Sequence, residues 1–180
     1  MHHSEHPGVA VSMAPAEPLS WVFFCADTYA AEQFSPAIPA IHRPASAARN
    51  SEDWREWREM VWAATVRGNQ HFPQGVVGFD PPDFASLGSH PTLQGVCRSR
   101  WADFRTWWRA AKAHVVATTT SPKMAELVRE ARAGKEQPLT VHVVPLQEPQ
   151  DLASWGTQHL VSVGLLEDRE ACARWLGHQD

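Results

Sequence analysis

His114-Val-Val-Ala-Thr-Thr-Thr-Ser-Pro-Lys123 is the stretch whose reading decides the fold of this chain. Its first seven residues are rich in β-branched types, which suit a pleated strand. Ser121 and Pro122 then supply a hydroxyl N-cap and a proline at N1, so a helix is expected through Ala133, closed by Gly134. Leu139-Thr-Val-His-Val-Val144 follows as the clearest strand in the sequence. Residues 149–155 read as a short helix, 159–163 as a strand and 167–176 as a final helix. Strands that alternate with helices pair in parallel through right-handed crossovers. The expected class is α/β: a single-domain sandwich with a mostly parallel sheet of about five strands and helices on its faces. The alternative is α+β, because the chain before residue 98 is less regular.

Working towards the N-terminus, Gly75-Val-Val-Gly-Phe79 is a short strand candidate stopped by Asp80-Pro-Pro-Asp83. Residues 35–48 carry Pro36, Pro39 and Pro44 and read as an extended connection. Leu19-Ser-Trp-Val-Phe-Phe-Cys-Ala26 is a nearly continuous apolar run that suits a buried strand. Residues 1–18 contain no Lys or Arg and no long apolar run before a cleavage site, so they are not a secretory signal. They are expected to be a disordered leader, with residues 19–180 forming one globular domain.

Six of the nine tryptophans fall in two Arg-punctuated stretches, around residues 53–62 and 100–109. Glu52 and Asp53 suit the first turn of a helix, where the dipole favours anions, and Gly68-Asn69 ends it. The second helix is expected over about residues 98–113. At 100° per residue Trp54, Trp57, Val61 and Ala64 form one stripe, and Trp101, Phe104, Trp108 and Ala111 form another. Both stripes are expected in the core. Trp62 and Trp107 leave their stripes. Together with Arg105 and Arg109 they are the candidate partner-binding residues, since Trp and Arg dominate binding energy at many interfaces.

Composition sets limits on function. A net charge of −4 argues against wholesale coating by nucleic acid, although the Arg98–Lys112 stretch is locally basic. Cys25, Cys97 and Cys172 make no CxxC pair and no even framework, which fits a reduced, cytoplasmic protein. No window reaches the ~18 apolar residues of a membrane span. Glycine-rich phosphate loops, nucleophile elbows and HExxH are missing, so no cofactor and no metal is expected.

Any catalytic or ligand site must then be argued from position. In an open parallel sheet, ligands bind beyond the carboxyl ends of the strands. Those ends would be Asp27 and Tyr29, Asp80, and Thr119, Thr120, Ser121 and Lys123, the last group at a helix start suited to an anion. Cys97, ahead of the basic helix beside Arg98 and Arg100, is placed to have its thiolate favoured. His114, His142 and His159 would all lie on strands.

The order His3, Val22-Phe-Phe24, Asp27, Tyr29, Ala30 resembles the opening of ADP-ribosyltransferase-like folds. In that family an early histidine and an aromatic strand-to-helix corner hold NAD. No strand can precede His3 here and the alternating second half departs from the family, so no residue role is carried over.

Two functional readings stand. The first is a small cytoplasmic binding or inhibitory protein of bacterial or phage type, in the manner of immunity proteins, antitoxins or anti-defence proteins. It would act on a macromolecular partner, a protein before a nucleic acid, through a Trp/Arg-rich face. The alternative is an enzyme or sensor of a nucleotide or sugar-phosphate ligand held at the strand ends.

Overall fold

A computed structural model describes residues 10–25, 52–67 and 77–179. In chain order these form β1 (Val11–Pro15), α1 (Glu17–Cys25), α2 (Glu52–Arg67), a 3-10 turn (Ala85–Leu87), α3 (Pro91–Thr119) and α4 (Pro122–Ala131). Then follow β2 (Leu139–Val144), β3 (Asp151–Trp155), β4 (Gln158–Ser162), α5 (Val163–Glu167) and α6 (Arg169–His178). The described strands make one open sheet of four, ordered β1-β2-β4-β3. β1 pairs with β2 and β2 with β4 in parallel, while β3 pairs with β4 antiparallel. Among the described residues the sheet is mixed, with four strands, and six helices accompany it.

Four expected elements differ, each for a visible reason. The apolar run from Leu19 is helix α1, not a strand. Its residues Leu19 through Cys25 are all buried, so it has no polar face to reveal a helical period. Glu17-Pro18 in its first turn was the available signal. Residues 114–120, read as a strand, are the last six residues of the 29-residue helix α3 and its C-cap, Thr120. Propensity yields to packing here: Val115 is fully buried, and the nearest forced stop is Pro122, which holds Ser121 extended at φ −65°, ψ 145°. Residues 149–155, read as a helix, contain edge strand β3. Its hairpin to β4 turns through Gly156-Thr157, with Gly156 at φ +57°, the left-handed geometry a two-residue hairpin requires. Finally, residues 11–15 of the expected leader form β1, whose register to β2 runs from Val11 opposite Leu139 to Pro15 opposite Val143. Of the strand expected at 75–79, residues 77 and 78 form a turn, and 75 and 76 lie outside the described residues.

Alternation along the central strands splits the core in two. Leu139, Val141 and Val143 of β2 and Val161 of β4 face one side, where they pack with Val115, Met124, Leu127, Val163, Leu165, Leu166, Trp175 and Leu176. Val144 and Leu160 face the other side. There they meet an aromatic cluster with Trp21, Phe23, Phe24, Trp54, Trp57, Phe84, Phe104, Trp107 and Trp108. Helices α1 and α2 cover the aromatic face, and α4 and α6 the aliphatic one. α3 contributes to both, with Phe104 in the first and Val115 in the second.

Candidate partner-binding face

Over residues 91–111, α3 buries Leu93, Cys97, Phe104, Trp107, Trp108 and Ala111. The opposite side carries Arg98, Ala102, Arg105, Arg109, Lys112 and Val116, all exposed and three or four residues apart. From Arg98 to Lys112 this row extends roughly 20 Å at 1.5 Å per residue. Arg105 lies with its guanidinium 5.7 Å from the centre of the half-buried Trp101 ring, which orients the charge without neutralising it. Arg98 donates from Nε to the Asp83 carbonyl at 3.0 Å. Among the described residues, Arg105, Arg109 and Lys112 have no carboxylate partner. Asp103, the single acid of the stretch, lies about 160° around the helix from Arg105.

The acidic C-terminal region does not supply the missing charge. Glu167 holds His114 at 2.7 Å. Asp168 caps α6 through the Ala171 N–H, and Glu170 pairs with Arg174 at 3.8 Å. Asp151 accepts from the Trp175 indole at 2.9 Å, with His159 Nδ1 3.5 Å away. Asp151, Asp168 and Glu170 are thus engaged within residues 151–175, and Glu167 is engaged by His114 of α3 rather than by the arginine row.

Of the four expected partner-binding residues, the structure brings Arg105 and Arg109 onto one exposed face. Trp107 is 3% exposed and belongs to the aromatic core, which corrects its expected role: the α1 phenyl of Phe24 covers it, ring centres 5.0 Å apart. Trp62 is half-buried on the sheet side of α2, edge-on to His142 at 5.8 Å. That contact belongs to a small buried network. Gln158 Nε2 donates to the Val66 carbonyl at 2.8 Å, which turns its Oε1 towards His142 Nε2 at 3.1 Å. The imidazole therefore donates from Nε2. Burial lowers the His142 pKa, with the Gln158 hydrogen bond opposing that shift. Lys112 continues the basic run expected on this helix, whereas Val116 extends the row beyond the expected end at 113.

The residues expected to hold a ligand do not converge. Asp27 and Tyr29 lie outside the described residues. Asp80 binds Ser86 with both carboxylate oxygens, accepting from its N–H at 2.9 Å and its hydroxyl at 2.5 Å, and so organises the 3-10 turn. That turn lies at the start of α3, where Gln94 bonds the Asp83 and Phe84 carbonyls. Thr119, Thr120, Ser121 and Lys123 lie at the other end of the same helix, roughly 35 Å away. Thr119 donates to the Val115 carbonyl at 3.0 Å, Thr120 to Val116 at 2.8 Å and Ser121 to Thr118 at 3.0 Å. Ser121 also accepts from the Met124 N–H at 3.1 Å as the α4 cap. With no strand ending there, the hydroxyls close one helix and start the next; Lys123 is exposed in the first turn of α4.

Cys97 is fully buried in the second turn of α3 rather than ahead of it. His114 lies on a helix, while His142 and His159 face opposite sides of the sheet, so these three do not meet. Among the described residues no group of three His, Cys, Asp or Glu side chains is arranged to hold a metal ion. Nor is any described helix long and apolar enough to cross a membrane. Compared with protein-family models, with curated proteins and with solved structures, the chain gives no match.

Proposed function

We propose that this is a cytoplasmic binding protein whose α3 face docks an acidic surface of a protein partner. The observation that carries this reading is the row Arg105, Arg109 and Lys112, exposed and without a carboxylate among the described residues in a chain of net charge −4. Such cations cost little to leave in water and gain most when an acidic surface displaces that water. The exposed Ala102 and Ala113 flanking the row let another backbone come close, and Val116 extends it with an apolar contact. These features fit a protein surface better than a phosphodiester chain, which rewards denser positive charge. An inhibitory role of the immunity or antitoxin kind is consistent with a rigid face of this size, and the buried thiols fit a reducing compartment.

A carbodiimide cross-link tests the reading, because it joins a lysine amine directly to a carboxylate with which it is in contact. In the native host, Lys112 should become linked to an Asp or Glu of one partner. The double variant Arg105→Glu/Arg109→Glu should lose at least roughly tenfold in affinity for that partner while keeping its melting temperature. Normal binding by the double variant would end the proposal. Recovery of nucleic acid with the wild-type chain, lost in the variant, would replace the protein partner by a polyanion.

A further inference from the structure

The end of α1 meets α3 at a corner that holds two cysteines. Cys25 is the last residue of α1, and Cys97 lies two turns into α3, 72 residues later. They are 1% and 0% exposed, and their sulfurs are 3.9 Å apart. The backbone around them is held from both sides. Arg100, one turn beyond Cys97, donates from Nη1 to the Cys25 carbonyl at 3.1 Å and to the Phe24 carbonyl at 3.3 Å. Phe24 itself packs against Phe104 and Trp107, with ring centres at 5.3 and 5.0 Å. The two thiols thus face each other across a fixed helix–helix contact. A disulfide needs ~2.05 Å between sulfurs, so each has about 1 Å to travel, a distance that small χ1 rotations supply.

We propose that Cys25 and Cys97 form an oxidation site, at which a hydroperoxide converts the facing thiols into an intramolecular disulfide that staples α1 to α3. One cysteine, as thiolate, attacks the peroxide O–O bond and becomes a sulfenic acid; the other oxygen leaves as water or an alcohol. The second thiolate attacks the sulfenic sulfur, the S–S bond forms, and hydroxide leaves and takes up the remaining proton as water. Two thiols and one hydroperoxide give one disulfide, one water and one further water or alcohol. Small peroxides suit a pair this buried, because they need only a brief opening of the corner to enter. A disulfide in a reducing compartment is reversible, so the staple reports or resists oxidative conditions rather than serving as permanent scaffolding.

Cys172 provides an internal control. It lies in the aliphatic half, where burial and the Asp168 charge push its thiol up to about 11 and keep it protonated. Folded protein should be treated with hydrogen peroxide and quenched with catalase and an alkylating agent, then examined by intact-mass and peptide mass spectrometry. The expected product is about 2 Da lighter before alkylation, with the Cys25 and Cys97 peptides joined and Cys172 alkylated. The same product should form in Cys172→Ser and not in Cys97→Ser. The melting temperature should rise by roughly 5–10 °C on oxidation and return with dithiothreitol, since the link restrains a long loop in the unfolded chain. Three alkylatable thiols after peroxide treatment, a link that includes Cys172, or a dimer joined between chains would each overturn the assignment. Because the first measurement uses the wild-type chain, it stands even where a variant at this buried corner does not fold.

Discussion

The two faces of one sheet are packed by different chemistries. On the α1–α2 side, indoles fix the backbone as well as fill space: Trp21 donates to the Gly78 carbonyl at 2.9 Å, Trp54 to Val22 at 3.1 Å and Trp57 to Val77 at 2.6 Å. On the α4–α6 side, the layer is built from Leu, Val and Met, with one indole bond from Trp175 to Asp151. The first half is specified by where hydrogen bonds must land, the second by volume. Gly78 shows how tight the first specification is. It sits at φ +75°, and a Cβ there would lie 2.6 Å from the Trp57 ring. The aromatic half should therefore tolerate less.

The largest expected contrast comes from truncation at fully buried sites. Trp57→Ala should cost about 3–5 kcal/mol in chemical denaturation and Leu176→Ala about 2–3, the difference reflecting ring volume and a lost donor. Equal losses would break the distinction. Conservative exchanges sharpen it: Trp57→Phe strands the Val77 carbonyl and should cost roughly 1–2 kcal/mol, whereas Leu176→Met should stay below about 1.

A third effect depends on pH and arises on the aromatic side, at His142. His142 has a folded pKa below its ordinary 6.5, so the unfolded chain takes up protons more readily below that value. Its contribution is complete above pH 6.5 and is lost as pH falls towards the folded pKa. The melting temperature should thus drop between pH 7 and 5, and His142→Leu should flatten that drop. An unchanged slope in the variant would show that the network with Gln158 does not exclude the charged form. The smallest effect is expected at the exposed row, where Arg109→Gln should change stability by less than about 0.5 kcal/mol.

The sequence made some of this legible and hid the rest for physical reasons. β2 and α4 are read correctly because their signals are local: alternating β-branched residues for one, Ser121-Pro122 for the other. The buried stripe of Trp54, Trp57, Phe104 and Trp108 follows from a 3.6-residue period. α1 is hidden because burial on all sides erases that period. The end of α3 is hidden because Val115, Val116, Thr118 and Thr119 are strand formers held helical by the core beneath Val115. The exposed row is legible as far as Lys112, which stands in the same basic run as Arg105 and Arg109, but its continuation to Val116 requires the true length of α3. Trp107 reads as a surface residue from the sequence because a wheel gives angles around one helix and no information about α1, which covers it.

The length of α3 has a consequence for how the molecule comes apart. One uninterrupted rod of 29 residues is anchored among rings at one end and among aliphatic side chains at the other. Neither layer can melt while the other keeps that rod in place, so the domain should lose its structure in one concerted transition. Seven of the nine tryptophans, at positions 21, 54, 57, 62, 101, 107 and 108, belong to or pack on the ring layer. Indole emission therefore watches one end of the rod while far-ultraviolet dichroism watches its whole length. Superimposable curves from the two signals would identify α3 as the beam through which each layer feels the other.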